Sequence, residues 1–132
     1  MKARLLLIPA VLLLFSLTGC KKDDVKPLTF EAVLGSYEGD MITKTSLLGE
    51  QTTTAKKTLT IEKSSAEGED GKITGQGPLA AGFKITKTEK DKISFQFTGI
   101  LASGDGYITR SELHYKRNLP LGTSEEFSGK KK

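Results

Sequence analysis

Ile93-Ser94-Phe95-Gln96-Phe97-Thr98 alternates large apolar and polar side chains without a break. A β-strand sends successive side chains to opposite faces, so this run lays three apolar groups on one face and polar groups on the other. A helix would scatter the same residues around its axis. Lys57-Thr58-Leu59-Thr60-Ile61-Glu62 repeats the pattern, and Phe83-Lys84-Ile85-Thr86 and Tyr107-Ile108-Thr109 follow it less cleanly. The many threonines favour strand through their branched Cβ.

Turn residues fall between these runs: Leu48-Gly49-Glu50, Glu67-Gly68-Glu69-Asp70-Gly71, Gly77-Pro78, Lys90-Asp91 and Ser103-Gly104-Asp105-Gly106. Strands are predicted over 36–45, 50–63, 71–76, 81–88, 92–102, 106–117 and 124–130. Connections are short and no segment has the length of a crossover helix, so the sheet is expected to be an antiparallel meander. Upstream, Pro27 to Gly35 reads as one short helical turn, with Thr29 as cap, Glu31 in the first turn and Gly35 as stop.

Tyr37-Glu38-Gly39, Ile73-Thr74-Gly75, Phe97-Thr98-Gly99 and Phe127-Ser128-Gly129 each run large apolar, polar, glycine. At strand period the apolar residue and the glycine share a face. A missing side chain there lets a strand bend and leaves room for a neighbouring ring, the device that closes a sheet. The expected fold class is therefore all-β: an antiparallel up-and-down β-barrel of about seven or eight strands with a short N-terminal helical turn.

Leu34-Gly35-Ser36-Tyr37-Glu38-Gly39, Phe97-Thr98-Gly99 and Glu126-Phe127-Ser128-Gly129-Lys130 together resemble small lipocalin-like (calycin-type) bacterial lipoproteins. Gly35-Ser36-Tyr37 stands where lipocalins carry Gly-x-Trp, with Tyr in place of Trp. The resemblance spans roughly residues 28–130 and implies a barrel of about eight strands. The domain is shorter than a typical ligand-carrying lipocalin, which argues against a roomy cavity.

The chain opens on Lys2 and Arg4, followed by an apolar run from Leu5 to Leu17. That run falls short of the roughly 20 apolar residues needed to span a bilayer and has the length of a signal-peptide core. Leu17-Thr18-Gly19-Cys20 resembles the lipobox of bacterial lipoproteins. The resemblance implies cleavage between Gly19 and Cys20 and a diacylglycerol on the Cys20 thiol, and two or more acyl chains anchor a protein stably. The expected organisation is a signal peptide over 1–19, the lipidated cysteine and a charged tether over 20–27, and the barrel domain over 28–132. The expected location is the bacterial outer membrane, facing the periplasm or the cell surface. Lys22-Asp23-Asp24 resembles a surface-export signal and reads equally as a plain polar spacer. Cys20 is the sole cysteine, so no disulfide can form within the chain.

The net charge of +4 includes Lys2 and Arg4 of the leader, and no basic stripe is interleaved with aromatics, so nucleic acid is not an expected partner. No catalytic residue, metal ligand set or cofactor motif is singled out. His114 is the sole histidine, no Gly-x-Ser-x-Gly elbow exists, and the reading is non-enzymatic. Gly104 to Leu113 imitates the second part of an EF-hand loop, but Leu101 and Ser103 fall on the first and third ligand positions, which defeats calcium.

Along 106–117 the faces are Tyr107, Thr109, Ser111, Leu113, Tyr115 and Ile108, Arg110, Glu112, His114, Lys116. The second set is too charged for a core, so the first is expected inside. Buried hydroxyls need partners, from the protein, water or a ligand. The candidate ligand-lining residues are Met41, Phe97, Tyr107, Thr109, Ser111 and Tyr115. The expected function is a membrane-anchored binding module for a small apolar or amphipathic ligand. The alternative is a protein-interaction or inhibitor module of an envelope complex, acting through its outer face and loops. Lys130-Lys131-Lys132 reads as a solvated tail or as a contact with anionic lipid.

Overall fold

The computed structural model describes residues 27–75, 80–100 and 102–132. The leader, Cys20, the tether up to residue 26, the Gly77-Pro78 turn and Leu101 lie outside the described residues.

Alternating strands joined by short turns pair each with its neighbour in sequence: β1 (Gly35–Thr45), β2 (Gln51–Lys63), β3 (Gly71–Thr74), β4 (Ala81–Thr88), β5 (Ile93–Phe97), β6 (Ser103–Ile108), β7 (Glu112–Leu119) and β8 (Thr123–Lys131). Each pairing is antiparallel, and β8 returns to β1 from Tyr37↔Lys131 to Thr45↔Thr123, closing a barrel of eight strands. This is the all-β meander expected from the sequence. Closure leaves no exposed sheet edge along the β1–β8 seam.

One end is plugged. Helix α1 (Phe30–Val33) follows its cap, where the Ala32 amide donates to Thr29 Oγ1 at 3.3 Å. The buried Tyr37 hydroxyl donates to the Val33 carbonyl at 2.7 Å, and Lys131 Nζ donates to the Ala32 carbonyl at 2.8 Å. The Leu28 amide donates to the Lys90 carbonyl in the β4–β5 turn. Lys63 pairs with Glu31 at 2.8 Å, and that hydrogen bond holds the Glu31 carboxyl below its ordinary range.

Above the plug, inward-facing side chains fill the axis. Phe83, Phe95, Phe97, Tyr115 and Phe127 form a connected run of rings, with centroids 4.6 Å apart at Phe83–Phe95, 5.5 Å at Phe95–Phe97, 5.1 Å at Phe97–Tyr115 and 5.8 Å at Tyr115–Phe127. Tyr37, Leu59, Ile61, Ile73, Ile93 and Leu113 pack with them, all essentially inaccessible.

Two of the four glycine placements do what the pattern predicts. Gly39 and Gly129 sit opposite each other across β1 and β8. A Cβ on Gly39 would overlap the Ser128 carbonyl, and one on Gly129 would meet the Phe127 ring. Gly75, just past β3 at positive φ, lets the Thr58 carbonyl of β2 come close, where a Cβ would strike it, whereas a Cβ on Gly99 would meet no atom nearer than 3.9 Å.

The region after Phe97 differs from the sequence reading. The strand expected over 92–102 stops at Phe97, and the one expected over 106–117 is two strands joined by a tight turn. The Thr109 amide donates to the Glu112 carbonyl at 2.9 Å, while Thr109 Oγ1 accepts from the amides of Ser111 and Glu112 at 3.3 and 3.0 Å. A threonine thus makes the turn without glycine or proline. Gly104 and Gly106, read as turn residues, are strand residues of β6. Gly106 is bare because a Cβ there would strike the Phe95 ring and Tyr115 Cβ.

Candidate functional site

With the turn in place, Ile108 and Leu113 both point inward although an odd number of positions separates them, so alternation does not carry through. Tyr107 consequently faces outward, 37% exposed, and Thr109 and Ser111 belong to the turn. This corrects the inner row expected from the sequence, in which Tyr107, Thr109 and Ser111 joined Leu113 and Tyr115. Of the six candidate lining residues, the fold brings Met41, Phe97 and Tyr115 together inside the barrel and sends the other three elsewhere.

Met41, Phe97 and Tyr115 form the floor of the unplugged end. Inward-register positions of β2 lose their cover towards that end: Leu59 and Ile61 are buried, whereas Thr53, Ala55 and Lys57 are exposed. Among the described residues β2 pairs with β3 only from Thr60 to Lys63, so Gln51 to Leu59 is held by β1 alone. At this end, the mouth of the barrel, the inward register of β2 is therefore open to solvent, beside an aromatic cluster that is itself buried.

Arg117 lies at this floor, 9% exposed, the one buried charged residue among those described. It faces inward because it continues the register of Leu113 and Tyr115. Its Nε and a terminal nitrogen each lie 2.8 Å from Glu125 Oε2, and its guanidinium stands 5.5 Å from the centre of the Phe97 ring. Thr53, Thr43, Glu125, Arg117 and Gly104 are successive cross-strand partners, so they form one interior row around part of the mouth. Glycine at 104 admits the Arg117 backbone, which a side chain there would strike. Both contacts that the described residues show between Arg117 and Glu125 fall on Oε2. The pair places one polar spot in an otherwise apolar floor.

The sequence reading did not single out Arg117 or Glu125. The signal was present: an arginine in phase with Leu113 and Tyr115, and a glutamate in phase with Phe127.

His114 faces outward, as expected, within a polar cluster. Its Nδ1 lies 2.9 Å from Ser128 Oγ, its Nε2 lies 3.3 Å from Glu112 Oε2, and its ring stacks on Tyr107 with centroids 4.9 Å apart. Serine, histidine and glutamate in this order imitate a hydrolase triad, but a triad also needs amides aimed at a developing oxyanion. Ser128 is paired with His114 on one side and Asp40 on the other, so the local backbone amides are committed to ladders. The cluster acts as cross-strand side-chain pairing that fixes β6, β7 and β8 in register.

Among the described residues no three or more His, Cys, Asp or Glu side chains gather as a metal site. No described helix is long and apolar enough to cross a membrane. No protein family, curated protein or solved structure matches the chain.

Proposed function

We propose that this chain is a non-enzymatic binding module that takes one small amphipathic molecule at the mouth of its barrel. The observation that carries the reading is the buried Arg117–Glu125 pair set beside Phe97 and Met41. Burying an ion pair contributes little stability compared with well-packed apolar residues, so a pair inside a small barrel invites a functional account. Apolar floor, polar spot and open mouth match a ligand whose aliphatic part lies on Met41, Phe97 and Ala55 while its head accepts from Arg117. The filled lower axis restricts such a ligand to the upper part of the barrel.

The setting is the one the sequence suggests: a lipocalin-like lipoprotein held through Cys20 at the outer membrane, facing the periplasm or the cell surface. That setting is part of the proposal. Cys20→Ser is expected to release an unacylated form from the membrane, and continued attachment of the variant would contradict the anchor.

Native mass spectrometry of the full chain from its own host tests the ligand. The expected result is a discrete added mass that Arg117→Met removes and the outward Lys116→Met keeps. A chain that carries no added mass, or carries the same mass in both variants, contradicts the reading.

A further inference from the structure

Loops in a meander barrel alternate between its two ends. Those at the plugged end carry Glu67, Glu69, Asp70, Glu89, Lys90, Asp91, Lys92 and Arg110. At the mouth, the described loop residues 46–50, 98–100 and 120–122 carry a single charge, Glu50. The mouth loops present aliphatics instead: Leu47 is 63% exposed, Leu48 90%, Ile100 102% and Leu121 71%. Four of the five large apolar side chains that the described residues leave exposed thus stand at one end.

These tips are neighbours. Ser46 donates from both its amide and its hydroxyl to the Gly122 carbonyl at 3.2 Å, joining the β1–β2 loop to the β7–β8 loop. Ile100 shares a surface groove with Leu119 and Pro120 of the β7–β8 side.

Leu121 supplies an independent sign. It is the only non-glycine among the described residues with positive φ, at 65°, in a turn position that suits glycine or asparagine. Its side chain is 71% exposed, so burial does little to offset the strain. Backbone strain at an exposed apolar residue is accounted for when presenting that side chain is the purpose.

We propose that the mouth end inserts its aliphatic tips into a lipid surface. The tips come from three loops and are each largely exposed. A protein partner would need a preformed socket for every one, whereas fluid hydrocarbon accepts them as they stand. The near absence of charge meets the requirement of that medium. Lys44, on β1 just behind the tips, lies at the depth of anionic headgroups. The proposal stands apart from ligand binding: inserted tips on an empty barrel would support it and defeat the ligand reading.

The test uses the full chain with Cys20→Ser, carrying one environment-sensitive NBD label at Leu48→Cys, Ile100→Cys or, at the plugged end, Asp91→Cys. Vesicles of phosphatidylethanolamine and phosphatidylglycerol are added. The labels at 48 and 100 are expected to shift to the blue and to be quenched by doxyl lipids, while the label at 91 keeps its aqueous emission. Unshifted labels at 48 and 100, or equal shifts at all three positions, overturn the proposal. Replacing Leu48→Ser, Ile100→Ser and Leu121→Gly together is expected to lower vesicle partition more than about tenfold without lowering the melting temperature. Unchanged partition overturns it as well.

Discussion

Tyr37 ties the plug to the barrel with one hydroxyl, and its ionisation offers a direct readout. Burial pushes the phenol up to about 12, against about 10 in an unfolded chain. Because the folded value is the higher one, the stabilisation is complete below about pH 10 and is lost as pH rises towards about 12. Denaturant unfolding across that window is expected to show a loss of about 2–3 kcal/mol that Tyr37→Phe removes. The same variant is expected to cost about 1 kcal/mol at neutral pH, because the Val33 carbonyl loses its donor. Arg117 makes the second residue-scale prediction. Arg117→Met leaves the Glu125 carboxylate, on a side chain only 15% exposed, without its partner and is expected to cost about 3 kcal/mol. Arg117→Met with Glu125→Leu is expected to recover to within about 1 kcal/mol of the parent in chemical unfolding.

At the scale of elements, close approach of β1 and β8 depends on two absent side chains. Gly39→Val is expected to cost more than about 3 kcal/mol, since its branch would meet the Ser128 backbone. Gly99→Ala, with no atom nearer than 3.9 Å to the added carbon, is expected to be nearly neutral. Leu121→Gly relieves the positive φ and is expected to raise stability by about 1 kcal/mol, read as a higher midpoint of thermal unfolding. The strands that alternate cleanly, β2 and β5, were legible because period two survives any tertiary context that covers one face. The β6–β7 hairpin was not. Gly104 and Gly106 carry a turn composition inside a strand, and Thr109 makes a turn from a residue common in strands. Once that turn is missed, parity slips, so Tyr107, Thr109 and Ser111 are expected inside although Tyr107 faces outward and the other two belong to the turn.

For the whole molecule, the decisive feature is asymmetry along the barrel axis. A capped, charge-rimmed end and a filled aromatic middle lead to a mouth with one buried ion pair and an aliphatic rim. The barrel could be anticipated because turn spacing and strand period agree with each other. Its polarity could not, since deciding which loops share an end requires the correct strand count, and the sequence left that between seven and eight. Met41, Phe97 and Tyr115 could be placed inside the barrel because large apolar residues in strand phase face inward whatever the ligand. Arg117 and Glu125 were missed because charged residues in phase with a core run look like a strand that has already ended.

Seating of an amphipathic molecule at the mouth, over Arg117, is the central claim. Photo-crosslinking the full chain in membranes with a diazirine-bearing fatty acid, then mapping the modified peptides by mass spectrometry, tests it most directly. The expected adducts fall on Met41, Ala55 and Phe97 and fade in Arg117→Met. Adducts gathered at the plugged end around Leu28 and Val33, or spread over the outer face and unchanged by that substitution, would contradict it.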